Sequence, residues 1–99
     1  MFVVDLTYTA PLERVDAALA DHVAWLEKQY DTGAVIASGR KEPRNGGILI
    51  VVAPDRAAVE ALIATDPFSI EGVAEYRVTE FIATKTAPAL ERYREQLPG

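Results

Sequence analysis

Hydrophobic and polar positions alternate from the first residues. In FVVDLTYT, Phe2, Val4, Leu6 and Tyr8 fall on one side of an extended segment and Val3, Asp5 and Thr7 on the other, which predicts a strand. The period then lengthens. Leu12, Val15, Leu19, Val23, Leu26 and Tyr30 recur at helical spacing, with Pro11 suited to a first helical turn and Glu13 and Asp16 near the positive end of the helix dipole. This helix is expected to run to about Asp31 and to stop at Gly33. AVIAS reads as a second strand ending at Ser38-Gly39, and RKEPRNGG, polar and interrupted by proline and glycines, as a loop to a third strand, ILIVVA. Asp55 is placed to cap a second helix with Val59, Leu62 and Ile63 on its inner side, ending near Thr65 because Pro67 excludes helical geometry at Asp66. After DPFSIEG, Tyr76, Val78, Glu80 and Ile82 alternate with Arg77, Thr79 and Phe81 in a fourth strand within VAEYRVTEFIATK. Leu90, Tyr93 and Leu97 share one side of a short terminal helix.

The order strand, helix, strand, strand, helix, strand predicts an α+β fold, the split βαβ plan of ferredoxin-like domains, with both helices on one face of a four-stranded antiparallel sheet. One domain is expected over residues 1–99, with a core of about 1–85 and a helical extension over 86–99. The third strand does not fit a sheet that is buried on one face. ILIVVA is apolar at six successive positions, so its second face needs a cover, and one short terminal helix is too small for four strands. A second copy packed face to face predicts a homodimer.

Composition narrows the function classes. Ten Lys and Arg against fifteen Asp and Glu give a formal charge of -5, which repels phosphate backbones and anionic lipid, so neither nucleic acid nor a membrane is an expected partner. There is no cysteine, which excludes disulfides and thiolate chemistry and suits a reducing, cytoplasmic setting. No apolar run reaches transmembrane length, and no basic lead-in precedes the first strand.

The single histidine falls where a core side chain is expected. His22 lies in the apolar stripe of the first helix, one turn after Leu19 and one before Leu26. A buried neutral imidazole needs partners for one donor and one acceptor, and a buried cation needs a counter-charge. Asp66, at the end of the second helix where the dipole disfavours a carboxylate, is the expected partner. Asp66-Pro67 equally suits N-cap and first position of a short helical turn, a purely structural role.

The helix-borne His22 in HVAWLEKQYDTGAVIASG, the run GGILIVVA, and Asp66-Pro67-Phe68 in ALIATDPFSIEGV together resemble the YciI-like family over nearly the whole chain. The resemblance implies a dimeric α+β barrel with a His/Asp dyad, His22 and Asp66, as its proposed active site. It also implies cofactor-free chemistry such as isomerisation or elimination, one member being a dehydrochlorinase of a chlorinated hydroxyquinol. The chain departs from the family in having Arg40 after Ser38-Gly39 and in a loop holding three cations, Arg40, Lys41 and Arg44.

In such a dyad Asp66 would fix the tautomer of His22, leaving the other ring nitrogen to take a proton from an acidic, anionic or phenolic small molecule. Ser38 could bind a substrate oxygen and Gly39 allow close backbone approach, or the pair could simply end a strand. Trp25 and Phe68 could line a pocket or belong to core or dimer contacts. Ser38 and Ser69 lack a nucleophile-elbow context. Metal is not expected, because one histidine and scattered carboxylates match no ligand spacing, and no cofactor motif is present. The loop cations could steer an anion. The competing class is a non-catalytic module that binds a metabolite or assembles with protein, its His–Asp pair satisfying a buried polar group.

Overall fold

The computed structural model describes residues 1–98. Its elements are β1 (Phe2–Tyr8), α1 (Leu12–Thr32), β2 (Val35–Arg40), β3 (Gly46–Val51), α2 (Arg56–Ile63), α3 (Pro67–Ile70), β4 (Ala74–Glu80) and a terminal 3₁₀ segment, Pro88–Tyr93. The four strands form one antiparallel sheet in the order β2-β3-β1-β4. This is the ferredoxin-like arrangement, with the α+β class and split βαβ order expected from the periodicities.

The alternation in β1 sets the core. Phe2, Val4 and Leu6 are buried against the helices together with Val15, Trp25, Leu49, Val51, Val59 and Phe68. Each such side chain contributes about 1.5–3 kcal/mol by leaving water. On the other face, Val3 pairs with Ile50 and Asp5 with Ile48, so half of the continuous apolar run of β3 points away from the helices. That face carries Val3, Ile48 and Ile50 half-buried, beside an ion pair between Lys41 Nζ and Asp5 at 2.9 Å.

Local signals act as the chemistry requires. Gly33 closes α1 in the left-handed conformation, φ 81°, its N–H donating to the Tyr30 carbonyl. Asp55 caps α2 by accepting from the Ala58 N–H at 2.8 Å. Gly46 is required by close approach, because a Cβ there would lie 1.9 Å from the Leu6 carbonyl oxygen.

Four expectations need correction. The buried line of α1 is Val15, Ala18, His22 and Trp25, whereas Leu12, Leu19 and Val23 are exposed. The helix is turned toward small Ala18, which a count of large apolar residues passes over. Next, β4 stops at Glu80 rather than continuing toward Lys85. Its neighbour β1 begins at Phe2, the partner of Glu80, and leaves no strand to pair with beyond it. Likewise β2 runs on to Arg40, which pairs with Gly47, so the connecting loop is shorter than RKEPRNGG. Finally, the terminal segment is one short 3₁₀ stretch with Leu90 and Leu97 exposed. With no buried residue in the segment, it has no packed apolar face to stabilise a regular α-helix. The segment is tied down instead by Glu95, which accepts from the Met1 ammonium and from the Ala83 N–H, both at 2.9 Å. No helix of the described residues is long and apolar enough to cross a membrane.

Candidate functional site

His22 and Asp66, 44 positions apart in the chain, meet inside the protein: His22 Nδ1 lies 2.7 Å from Asp66 Oδ1. The His22 side chain is 11 % exposed and that of Asp66 0 %. A carboxylate only accepts, so Nδ1 carries the hydrogen, and in the neutral ring Nε2 then presents its lone pair. His22 lines a cleft of about 180 Å³ between α1 and the sheet. Among the described residues no buried side-chain nitrogen or oxygen lacks a partner, and the side-chain hydrogen bond of His22 is made at Nδ1, so the unbonded Nε2 keeps contact with solvent.

Asp66 is held from three directions. It accepts from the Phe68 backbone N–H at 3.0 Å on the same oxygen that faces His22, and from the Tyr76 hydroxyl at 2.6 Å on the other. The first of these bonds makes Asp66 the N-cap of α3, with Pro67 in the first helical position. Both sequence readings of this residue therefore hold at once. The dipole argument needs correction: α2 ends at Ile63, and the carboxylate caps the next helix rather than terminating the previous one. Burial, the hydrogen bond to Asp66 and its charge push the Tyr76 phenol well above its ordinary value, so Tyr76 remains a donor.

The imidazole plane is fixed as well. Phe68 stacks on it with ring centroids 4.0 Å apart and planes 7° from parallel, and Tyr8 meets Phe68 edge-on at 5.9 Å. Trp25 lies on the other flank, 5.8 Å from the imidazole, with its indole N–H donating to Thr65 Oγ1 at 2.8 Å. Phe68 lines the cleft and Trp25 does not. The helical rotation that buries Trp25 places Leu19, Val23 and Leu26 on the cleft wall instead.

Ser38 and Gly39 also reach the cleft. Ser38 Oγ is 2.5 Å from the Tyr30 hydroxyl, so the serine is bonded to tyrosine and not to the histidine. Gly39 pairs with Ile48 on β3, and a Cβ added there would meet nothing within 4 Å. The close approach that needs glycine occurs instead across the strand, where a Cβ on Gly47 would lie 3.1 Å from the Gly39 carbonyl oxygen. Sequence reasoning missed Tyr76 and Tyr30. The available signal for Tyr76 was a phenol at an inward position of a strand, which requires a polar partner. Among the described residues no group of three or more His, Cys, Asp or Glu side chains is placed to hold a metal ion.

Comparison with known proteins adds two findings. A family model described as the YCII-related domain matches residues 1–82. The fold is similar to 5-chloro-2-hydroxyhydroquinone dehydrochlorinase (TftG) from Burkholderia phenoliruptrix AC1100, solved in complex with 2,5-dihydroxybenzoquinone. That match has a TM-score of 0.65 and 21% sequence identity, and it covers 82% of this chain and 93% of that one. No curated protein matches the chain.

Proposed function

The chain belongs to the YCII-related domain family, and from that premise we propose that it is a cofactor-independent enzyme of acid–base chemistry acting on a small acidic molecule, anionic or phenolic. The observation that carries this reading is a single one: an imidazole that lines an open cleft, locked at Nδ1 by a fully buried carboxylate and with its second nitrogen unbonded. In this role His22 Nε2 takes a proton from the substrate and returns it. Asp66 holds the Nδ1–H tautomer and stabilises the imidazolium that forms. Phe68 restricts the ring to one plane, and the Ser38 hydroxyl binds a substrate oxygen at the rim. The absence of cysteine accords with a reducing, cytoplasmic setting. We further propose that the chain works as a homodimer through the face bearing Val3, Ile48 and Ile50.

The reaction class is elimination, isomerisation or tautomerisation. The similar dehydrochlorinase supplies a defined assay: loss of H⁺ and Cl⁻ from 5-chloro-2-hydroxyhydroquinone leaves the hydroxyquinone, with ring electrons expelling chloride and no external oxidant consumed. Chloride release is measured for the wild-type chain and for His22→Asn and Asp66→Asn. The proposal expects wild-type turnover above the buffer rate and a loss in both folded variants on the order of 10²–10⁴. Equal rates in all three proteins, or none above buffer, would overturn it. The three hydrogen bonds converging on Asp66 favour a second reading, in which the pair is structural and the cleft only binds a metabolite. In that case the wild-type chain shows no turnover, and ligand affinity persists in both variants.

A further inference from the structure

The charge lining the cleft is unlike that of the rest of the molecule. The chain carries fifteen Asp and Glu, yet no carboxylate lines the cleft, and its one permanently charged lining residue is Arg40. Asp66 stands behind the imidazole and not in the wall. The other two cations of the neighbouring loop are engaged, Lys41 with Asp5 and Thr7, and Arg44 with Asp16. Among the described residues the Arg40 side chain, unlike those of Lys41 and Arg44, makes neither an ion pair nor a hydrogen bond. Its position follows from the sheet register. Arg40 pairs with Gly47, which pairs with Leu6, a buried residue of the helix-covered face, so the arginine stands over the same side of the sheet as His22. Around this cation the wall is apolar, with Leu6, Leu19, Leu26, Leu49 and Phe68.

We propose that Arg40 is the specificity-determining residue of this cleft, receiving an anionic oxygen, carboxylate or ionised enol, of a small flat ligand whose apolar body lies against those walls. A guanidinium presents a planar fork of donors that matches two oxygens, and it stays charged at every working pH. In a chain of net charge -5, an exposed arginine with a free side chain at a cleft that holds no carboxylate is the feature that draws an anion there against the general repulsion of the surface. The inference deepens the acid–base reading by naming the ligand class, and it rests on that reading for the orientation of the ligand toward His22.

The test is calorimetric titration with two probes sharing one ring: 2,5-dihydroxybenzoquinone, ionised at neutral pH, and its uncharged dimethyl ether. The wild-type chain is expected to bind the anion more tightly than the ether, with affinity falling as salt rises. Arg40→Gln should weaken anion binding by about tenfold or more, as loss of a charged hydrogen bond implies, and should leave the ether unchanged. Arg40→Lys should fall between, keeping the charge without the fork. Equal anion affinity in wild type and Arg40→Gln, an equal loss for both probes, or no binding of the anion by the wild-type chain would each overturn the proposal. Anion preference that persists in His22→Asn, alongside no chloride release above buffer by the wild-type chain, would remove the catalytic reading and leave this one standing.

Discussion

Replacing Asp66 by asparagine keeps the shape and removes the charge, so its effect follows from the bonds at the site. The carboxylate accepts three hydrogen bonds, from His22 Nδ1, the Phe68 N–H and the Tyr76 hydroxyl. A bond to a charged acceptor contributes about 1.5–3 kcal/mol and one to a neutral acceptor about 0.5–1.5, so neutralisation costs roughly 1 kcal/mol per bond. Relief from burying a charge at a site with no solvent exposure offsets part of that total. The amide NH₂ also adds a donor facing another donor, which the Tyr76 hydroxyl relieves by rotating to accept. The net expectation is a loss of about 2 kcal/mol, within a window of roughly 1–3. Urea unfolding at neutral pH, followed by Trp25 fluorescence, measures it directly. With a slope near 1 kcal/mol per molar urea, the midpoint should fall by about 2 M while the slope stays constant. A midpoint unchanged or raised would refute the convergence of three donors on one buried carboxylate.

Tyr76→Phe removes one of those donors and should cost about 1–2 kcal/mol by the same measurement. It should also change the alkaline profile. The Tyr76 phenol is raised on folding, so its contribution is complete below the unfolded value near 10 and lost as pH rises above it, and the steepening loss in wild type should be weaker in the variant. Gly46→Ala would place a methyl 1.9 Å from a backbone oxygen of β1, and forcing those strands apart should cost at least about 1–3 kcal/mol in thermal or urea unfolding. Light scattering should give twice the chain mass of 10.8 kDa. Ile50→Lys should reduce it to one chain without loss of helix signal in circular dichroism, whereas a wild-type monomer would end the homodimer proposal.

The sheet and its helices were legible because their periodicities are clean and their boundaries carry strong chemistry, as Asp55 and Gly33 show. Errors fell where tertiary partners decide. The end of β4 is fixed by where β1 begins, which no feature of VAEYRVTEFIATK reveals. The rotation of α1 is set by Ala18, whose small side chain carries little hydrophobic signal but permits close packing. In the site, the isolated histidine within an apolar stripe was sufficient to require a partner, and the unusual Asp-Pro supplied it. Tyr76 was missed as a third member because its place on an alternating strand reads as ordinary core unless the hydroxyl's need for a partner is followed. The outcome for Arg40 depended on its strand register: a residue read as part of a solvated loop continues β2 and stands over the cleft.

In the proposed mechanism His22 keeps its hydrogen on Nδ1, bonded to Asp66, and offers Nε2 to a ligand. Long-range ¹H–¹⁵N correlation spectroscopy of the single imidazole reads both nitrogens without interference from any other histidine. The account predicts a protonated Nδ1, an unprotonated Nε2, and a shift of the Nε2 resonance on adding 2,5-dihydroxybenzoquinone. Protonation at Nε2 in the free protein, or an Nε2 resonance indifferent to the bound ligand, would contradict it.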